Sequence, residues 1–187
     1  MFGPRRMIRR AVRGAMLAGR GVGRQQVHEA QRLLAEGQFT EAANLFAQLS
    51  SEAVEHGLIR PAGHLALQAA RAFAQAKQGD AALAQAKRAL DILLNAGRPQ
   101  QVARLMPQAI AFLRAQGFSA QAAALEKEAA QRLSALGLSL QPIGLATNRS
   151  VPATCPQCAG PLRADEAEWI DATSVECPWC GSTVKAQ

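Results

Sequence analysis

Four cysteines stand in two close pairs, Cys155-Pro-Gln-Cys158 and Cys177-Pro-Trp-Cys180, with eighteen residues between the pairs, and the chain of 187 residues holds no others. Two residues between cysteines let both thiolates turn toward one ion, and two such turns supply four tetrahedral ligands. The separation of the pairs falls inside the range expected of paired C-x-x-C zinc sites. The spacing therefore predicts one structural zinc ion held by Cys155, Cys158, Cys177 and Cys180. It also constrains the fold, because a tail of residues 153–187 is too short to stabilise itself by burial alone. Metal binding would supply its folding free energy, on the order of 10–16 kcal/mol in comparable peptides near neutral pH.

Between the pairs, Leu162, Trp169, Ile170 and Val175 offer the apolar groups that a short β hairpin needs. The module resembles the zinc-ribbon class, with its Cys-Pro-x-Cys-Gly knuckles. The second knuckle matches through Gly181, whereas the first has Ala159 where glycine is usual and Gly160 one place later. Other readings of four cysteines compete. A rubredoxin-like iron site has the same ligand set and would make the protein an electron carrier. A thiol-redox pair at Cys177 and Cys180 lacks a surrounding βαβ pattern. Two disulfides require an oxidising compartment. The start of the chain offers no hydrophobic segment of secretory length, and no run approaches a membrane span, so a reducing cytoplasm is expected.

Upstream, residues 25–137 carry helical periodicity almost without interruption. Hydrophobic residues are 49% of the chain and aromatics only 4%, and the small side chain in excess is alanine, the best helix former. Apolar stripes follow polar cap candidates: Thr40 before Ala42, Leu45, Phe46, Leu49 and Ala53; Asp80 before Ala82, Ala86, Leu90 and Leu93; Ser119 before Ala122, Leu125, Ala129 and Leu133. Pro61 and Pro99 read as first helical residues, and Val102, Leu105, Met106, Ala109, Phe112 and Leu113 form another stripe. The marker glycines Gly37, Gly79 and Gly117 are 42 and 38 residues apart, which predicts six helices in three stacked antiparallel hairpins.

Gly37-Gln38-Phe39-Thr40-Glu41-Ala42, then Phe46 and Leu49, resembles the turn and second helix of a tetratricopeptide repeat; Gly79-Asp80 with Ala82, Ala86 and Ala89 is similar with a shorter turn. That resemblance implies a superhelical scaffold whose concave groove holds a partner's peptide or helix. A plain helical bundle is the competing arrangement. Residues 138–152, with Pro142, Gly144, Asn148 and Pro152, read as a linker to the zinc ribbon at 153–187.

The net charge of +7 sits in one place. Residues 1–24 hold seven arginines and no acid, and the remaining 14 basic residues balance all 14 acidic ones. Arg5, Arg6, Arg9, Arg10 and Arg13 share one side of a helical projection, with Met7, Ile8, Ala11 and Val12 opposite. Such an arm is compatible with an anionic membrane surface, nucleic-acid phosphates, an acidic protein, or no partner at all. The ribbon is different. It holds Asp165, Glu166, Glu168, Asp171 and Glu176 against Arg163 and Lys185, the wrong sign for phosphates, so a protein partner is expected there.

His28, His56 and His64 are scattered, and acids such as Glu52, Glu55, Glu126 and Glu128 read as solvated helix faces. No cysteine is left as a nucleophile once the metal is assigned. The expectation is therefore a non-catalytic, cytoplasmic protein–protein adaptor, with no small-molecule substrate and with the arm able to bring it to a membrane surface. Trp179 stands between the last two ligands, either as a contact anchor or packed on the hairpin.

Overall fold

The computed structural model describes residues 25–140, 150–163, 168–169, 173–177, 179–180 and 182–186. The arginine arm, including Arg5, Arg6, Arg9, Arg10 and Arg13, and most of the expected linker lie outside them.

The described part is mainly α. Helix α1 covers 25–35. It is followed by α2 (Phe39–Glu55), α3 (Ile59–Gln75), α4 (Gly79–Asn95), α5 (Pro99–Ala115) and α6 (Ser119–Ser134). The helices after α1 run 17, 17, 17, 17 and 16 residues, so the body repeats almost without variation.

The turns explain that regularity. Positive φ occurs at Gly37, Gly57, Lys77, Gly97, Gly117 and Gly137, one position every 20 residues. At the first, the Gly37 N–H donates to Leu34 O at 3.1 Å and the Gln38 N–H to Leu33 O at 2.9 Å. This bond pair is the Schellman closure, in which a left-handed residue turns the chain and satisfies the last carbonyls. It recurs with Leu58, Gln78, Arg98, Phe118 and Leu138 as the second donor. In the first five turns that donor also caps the next helix, as when the Ala42 N–H donates to Gln38 O at 3.0 Å. Three residues therefore suffice between helices.

This corrects the reading of the turns. The turns at Gly57 and Gly97, ahead of Pro61 and Pro99, are the same short turn as those at the marker glycines. Gly79 marks no stop, because the left-handed residue there is Lys77, and the true repeat is 20 residues per helix and 40 per pair. Thr40, Asp80 and Ser119 are not caps: the caps are Gln38, Gln78 and Phe118, without side-chain bonds to the helix ends. Thr40 and Asp80 instead reach neighbouring repeats. Gln78 Nε2 donates to Thr40 Oγ1 at 3.2 Å, and Gln121 Nε2 donates to Asp80 Oδ1 at 3.0 Å. Pro99 does begin α5, but Pro61 is the third residue of α3.

The apolar stripes are the core, as their spacing requires. Ala82, Ala86, Leu90 and Leu93 are fully buried, as are Ala122, Leu125, Ala129 and Leu133. Leu45 and Phe112 pack at the edges of their clusters. Helices adjacent in sequence pack together, and α3 also meets α5 while α4 meets α6. Ion pairs join helices two apart, Lys87 with Glu128 at 2.8 Å and Arg132 with Asp91. Alanine and glycine permit the close approach: a Cβ added at Gly63 of α3 would stand 3.0 Å from Leu93 Cδ2 of α4. Helix α3 buries eleven of its 17 residues against four in α6, because α2, α4 and α5 all pack on it.

After α6, Leu138 and Leu140 still pack on the helical core, so the helical body extends past the boundary expected at 137. The tail forms an antiparallel sheet in the order β1 (Glu168–Trp169), β2 (Ser174–Glu176) and β3 (Thr183–Lys185), with Val175 opposite Val184. Among the described residues no helix is long and apolar enough to cross a membrane.

Candidate metal centre

The two cysteine turns are built alike. The Cys155 N–H donates to Gly160 O at 2.8 Å, and the Cys177 N–H donates to Ser182 O at 2.8 Å. Each bond closes five residues on from its first cysteine, so each pair of thiols projects from a tight turn. The Gln157 N–H points back at Cys155 Sγ, 3.4 Å away. Ala159, where the ribbon pattern has glycine, adopts φ 54, and the turn forms despite its Cβ.

The structure brings all four cysteines together, with their sulfurs within 4.8 Å of one another. Cys155 Sγ lies 3.8 Å from Cys180 Sγ, and Cys158 Sγ lies 3.7 Å from Cys177 Sγ. Four sulfurs each about 2.3 Å from one ion, at tetrahedral angles, would lie about 3.8 Å apart. Two opposite edges thus already have the length a tetrathiolate needs, and both join one turn to the other. None of the four sulfurs is bonded to another in this arrangement.

Cys155, Cys158 and Cys177 are buried and Cys180 is exposed. Without an ion, burial pushes the Cys158 thiol up to about 12 and raises Cys177 as well. Burial acts the same way on Cys180, but bonds to the Ser182 hydroxyl (Oγ at 3.2 Å) and amide outweigh it and leave that thiol lowered. A bound cation inverts the penalty at the buried pair, because it takes the place of the protons.

The cysteines are also half of the small core around them, which consists of Cys155, Cys158, Cys177, Leu162, Val175 and Val184. Leu162 and Val175 were legible as core in the sequence; Val184 was not. The side chains of Trp169 and Ile170 lie outside the described residues.

Sequence reasoning left Trp179 open, and the structure gives it two neighbours at once. Its Nε1–H donates to Pro161 O at 2.6 Å, and its ring lies on Gly160, where a Cβ would come within 2.7 Å. The same ring packs against the helical cluster of Phe46, Leu49, Leu65 and Ala69, and stands 5.9 Å from His64 of α3, centroid to centroid. His64, read in the sequence as one of three unremarkable histidines, is only 2% exposed at this junction. Beside it Arg60 of α3 pairs with Glu176 of β2. No sequence signal joined those residues, since the pairing spans more than a hundred positions. Of the acids read as solvated faces, Glu126 and Glu128 are half-buried and ion-paired, Glu126 with Arg114 and Glu128 with Lys87 and Arg132.

Compared with protein-family models, with curated proteins and with solved structures, the chain matches none.

Proposed function

We propose that the four cysteines hold one structural zinc ion and that the protein is a non-catalytic adaptor, in which stacked helical hairpins and the ribbon together present a surface to a protein partner. The observation that carries this reading is the gathering of four sulfurs within 4.8 Å of one another, with two opposite edges at tetrathiolate length. Four protein ligands complete the coordination of zinc and leave no open position for a substrate or an activated water, which is how structural sites differ from catalytic ones. The helical part supports the scaffold reading through its 20-residue turn period and the links between helices two apart. Each pair alone would leave an apolar face uncovered, and stacking buries it. The unit of 40 residues is longer than the roughly 34 of a tetratricopeptide repeat, so any groove differs in width from that family's.

The test has two parts. Elemental analysis of the purified full chain should find one zinc per chain and no visible absorption, whereas an iron tetrathiolate would be coloured. Affinity capture with the intact chain, a version lacking residues 1–24, and Cys177→Ser should then recover a partner that survives loss of the arm and is lost with the cysteine. A partner that depends only on the arm and dissociates steeply with salt would instead mark a phosphate-binding protein.

A further inference from the structure

We infer that the metal centre is a clamp: the ion fastens the ribbon onto α3 through Trp179, so loading of the tail and stability of the helical body are coupled. The inference rests on the metal reading above and goes beyond it, since a ribbon could hold zinc on a free tether.

The coupling follows from where Trp179 sits. It is part of the second cysteine turn, flanked by Cys177 and Cys180, yet its hydrogen-bond acceptor, Pro161 O, and the glycine beneath its ring, Gly160, belong to the first turn. The indole therefore holds this position only while the two turns face each other. The contacts that hold them so are the two sulfur–sulfur edges, each joining one turn to the other, and a core in which three of six residues are ligands. Without an ion, those edges place thiols against thiols, and the remaining apolar core of Leu162, Val175 and Val184 is too small to keep the turns paired.

The same indole packs on the helical cluster and stands beside His64, in the most buried helix of the body. The Arg60–Glu176 pair adds a second tie between the same helix and the strand leading into Cys177. Release of the ion thus frees the indole, and with it goes the cover over His64 and the apolar side chains beside it. By linkage, a ligand that stabilises the docked tail stabilises the helices on which the tail is docked.

The full chain tests this. It has no tyrosine and two tryptophans, so Trp169→Phe leaves Trp179 as the sole strong emitter. Chelation of the zinc-loaded Trp169→Phe chain should shift that emission to the red and lower the helical melting temperature, followed at 222 nm, by about 4 °C or more for a contact of this size. Trp179→Ala in the otherwise natural chain should melt lower from the start and lose most of its response to chelation. Should Trp179→Ala fail to retain zinc, Arg60→Gln, which leaves the ligands and the indole in place, should show an intermediate response. One zinc per chain with emission and helical melting indifferent to its removal would overturn the clamp while sparing the metal reading. A chain that binds no metal would end both.

Discussion

Lys77 adopts φ 62 at a turn whose five equivalents are all glycine. A side chain in the left-handed region costs roughly 1–2 kcal/mol through the contact of its Cβ with the backbone. Its only described partner is Gln116, at an exposed 3.4 Å, which offsets little. Lys77→Gly should therefore stabilise the chain by about 1 kcal/mol in denaturant melts, whereas Gly117→Ala should cost about as much. Equal stability of Lys77→Gly and the natural chain would show that the turn relaxes around lysine. The cysteines were legible at this same scale, because two thiols two residues apart have few other uses than one ion. Cys177→Ser should abolish stoichiometric metal binding and leave the remaining thiols open to alkylation, while the natural chain resists alkylation until chelated; equal reactivity in both would refute the four-ligand site. Trp179 was not legible, since nothing local tells whether a side chain beside a ligand faces solvent or another domain.

Among the helices, Gly79 shows where local preference misleads. Alanine there would gain roughly 0.5–1 kcal/mol from helix propensity, yet a Cβ would run into the ring of Phe118, which lies over the first turn of α4. Gly79→Ala should thus destabilise by about 1–2 kcal/mol through overpacking, and in a Phe118→Ala background the same substitution should turn favourable. A stabilising Gly79→Ala in the natural chain would mean that the ring swings aside freely. The stripes of α2, α4, α5 and α6 were readable because amphipathic helices repeat their apolar positions at i, i+3 and i+4. Helix α3 was less legible, since most of its buried positions are alanine or glycine, which mark an apolar face only weakly. Thr40 and Asp80 looked like caps because caps prefer such side chains. The Schellman turn had already supplied a backbone cap, which left those groups to bond Gln78 and Gln121 in neighbouring repeats.

For the molecule as a whole, the helical body draws its stability from an apolar core, and the tail, on the metal reading proposed above, from thiolate ligation. Chelation should consequently leave most of the far-ultraviolet helical signal in place at room temperature, and a cooperative loss of helix on chelation would show instead that the body cannot stand without its tail. What the sequence determined by itself was everything that short-range chemistry fixes: the helical body, its buried stripes and the four ligands, each encoded within a few residues. What only the tertiary structure decided was how those parts meet. The 20-residue period depends on one turn holding Lys77 in the conformation that the other five give to glycine, and the seat of the ribbon on α3 depends on Trp179, His64, Arg60 and Glu176 coming together across the fold. Contacts between distant residues carry no local pattern, because each partner alone is compatible with many surroundings and becomes specific only when the folded chain places the other beside it.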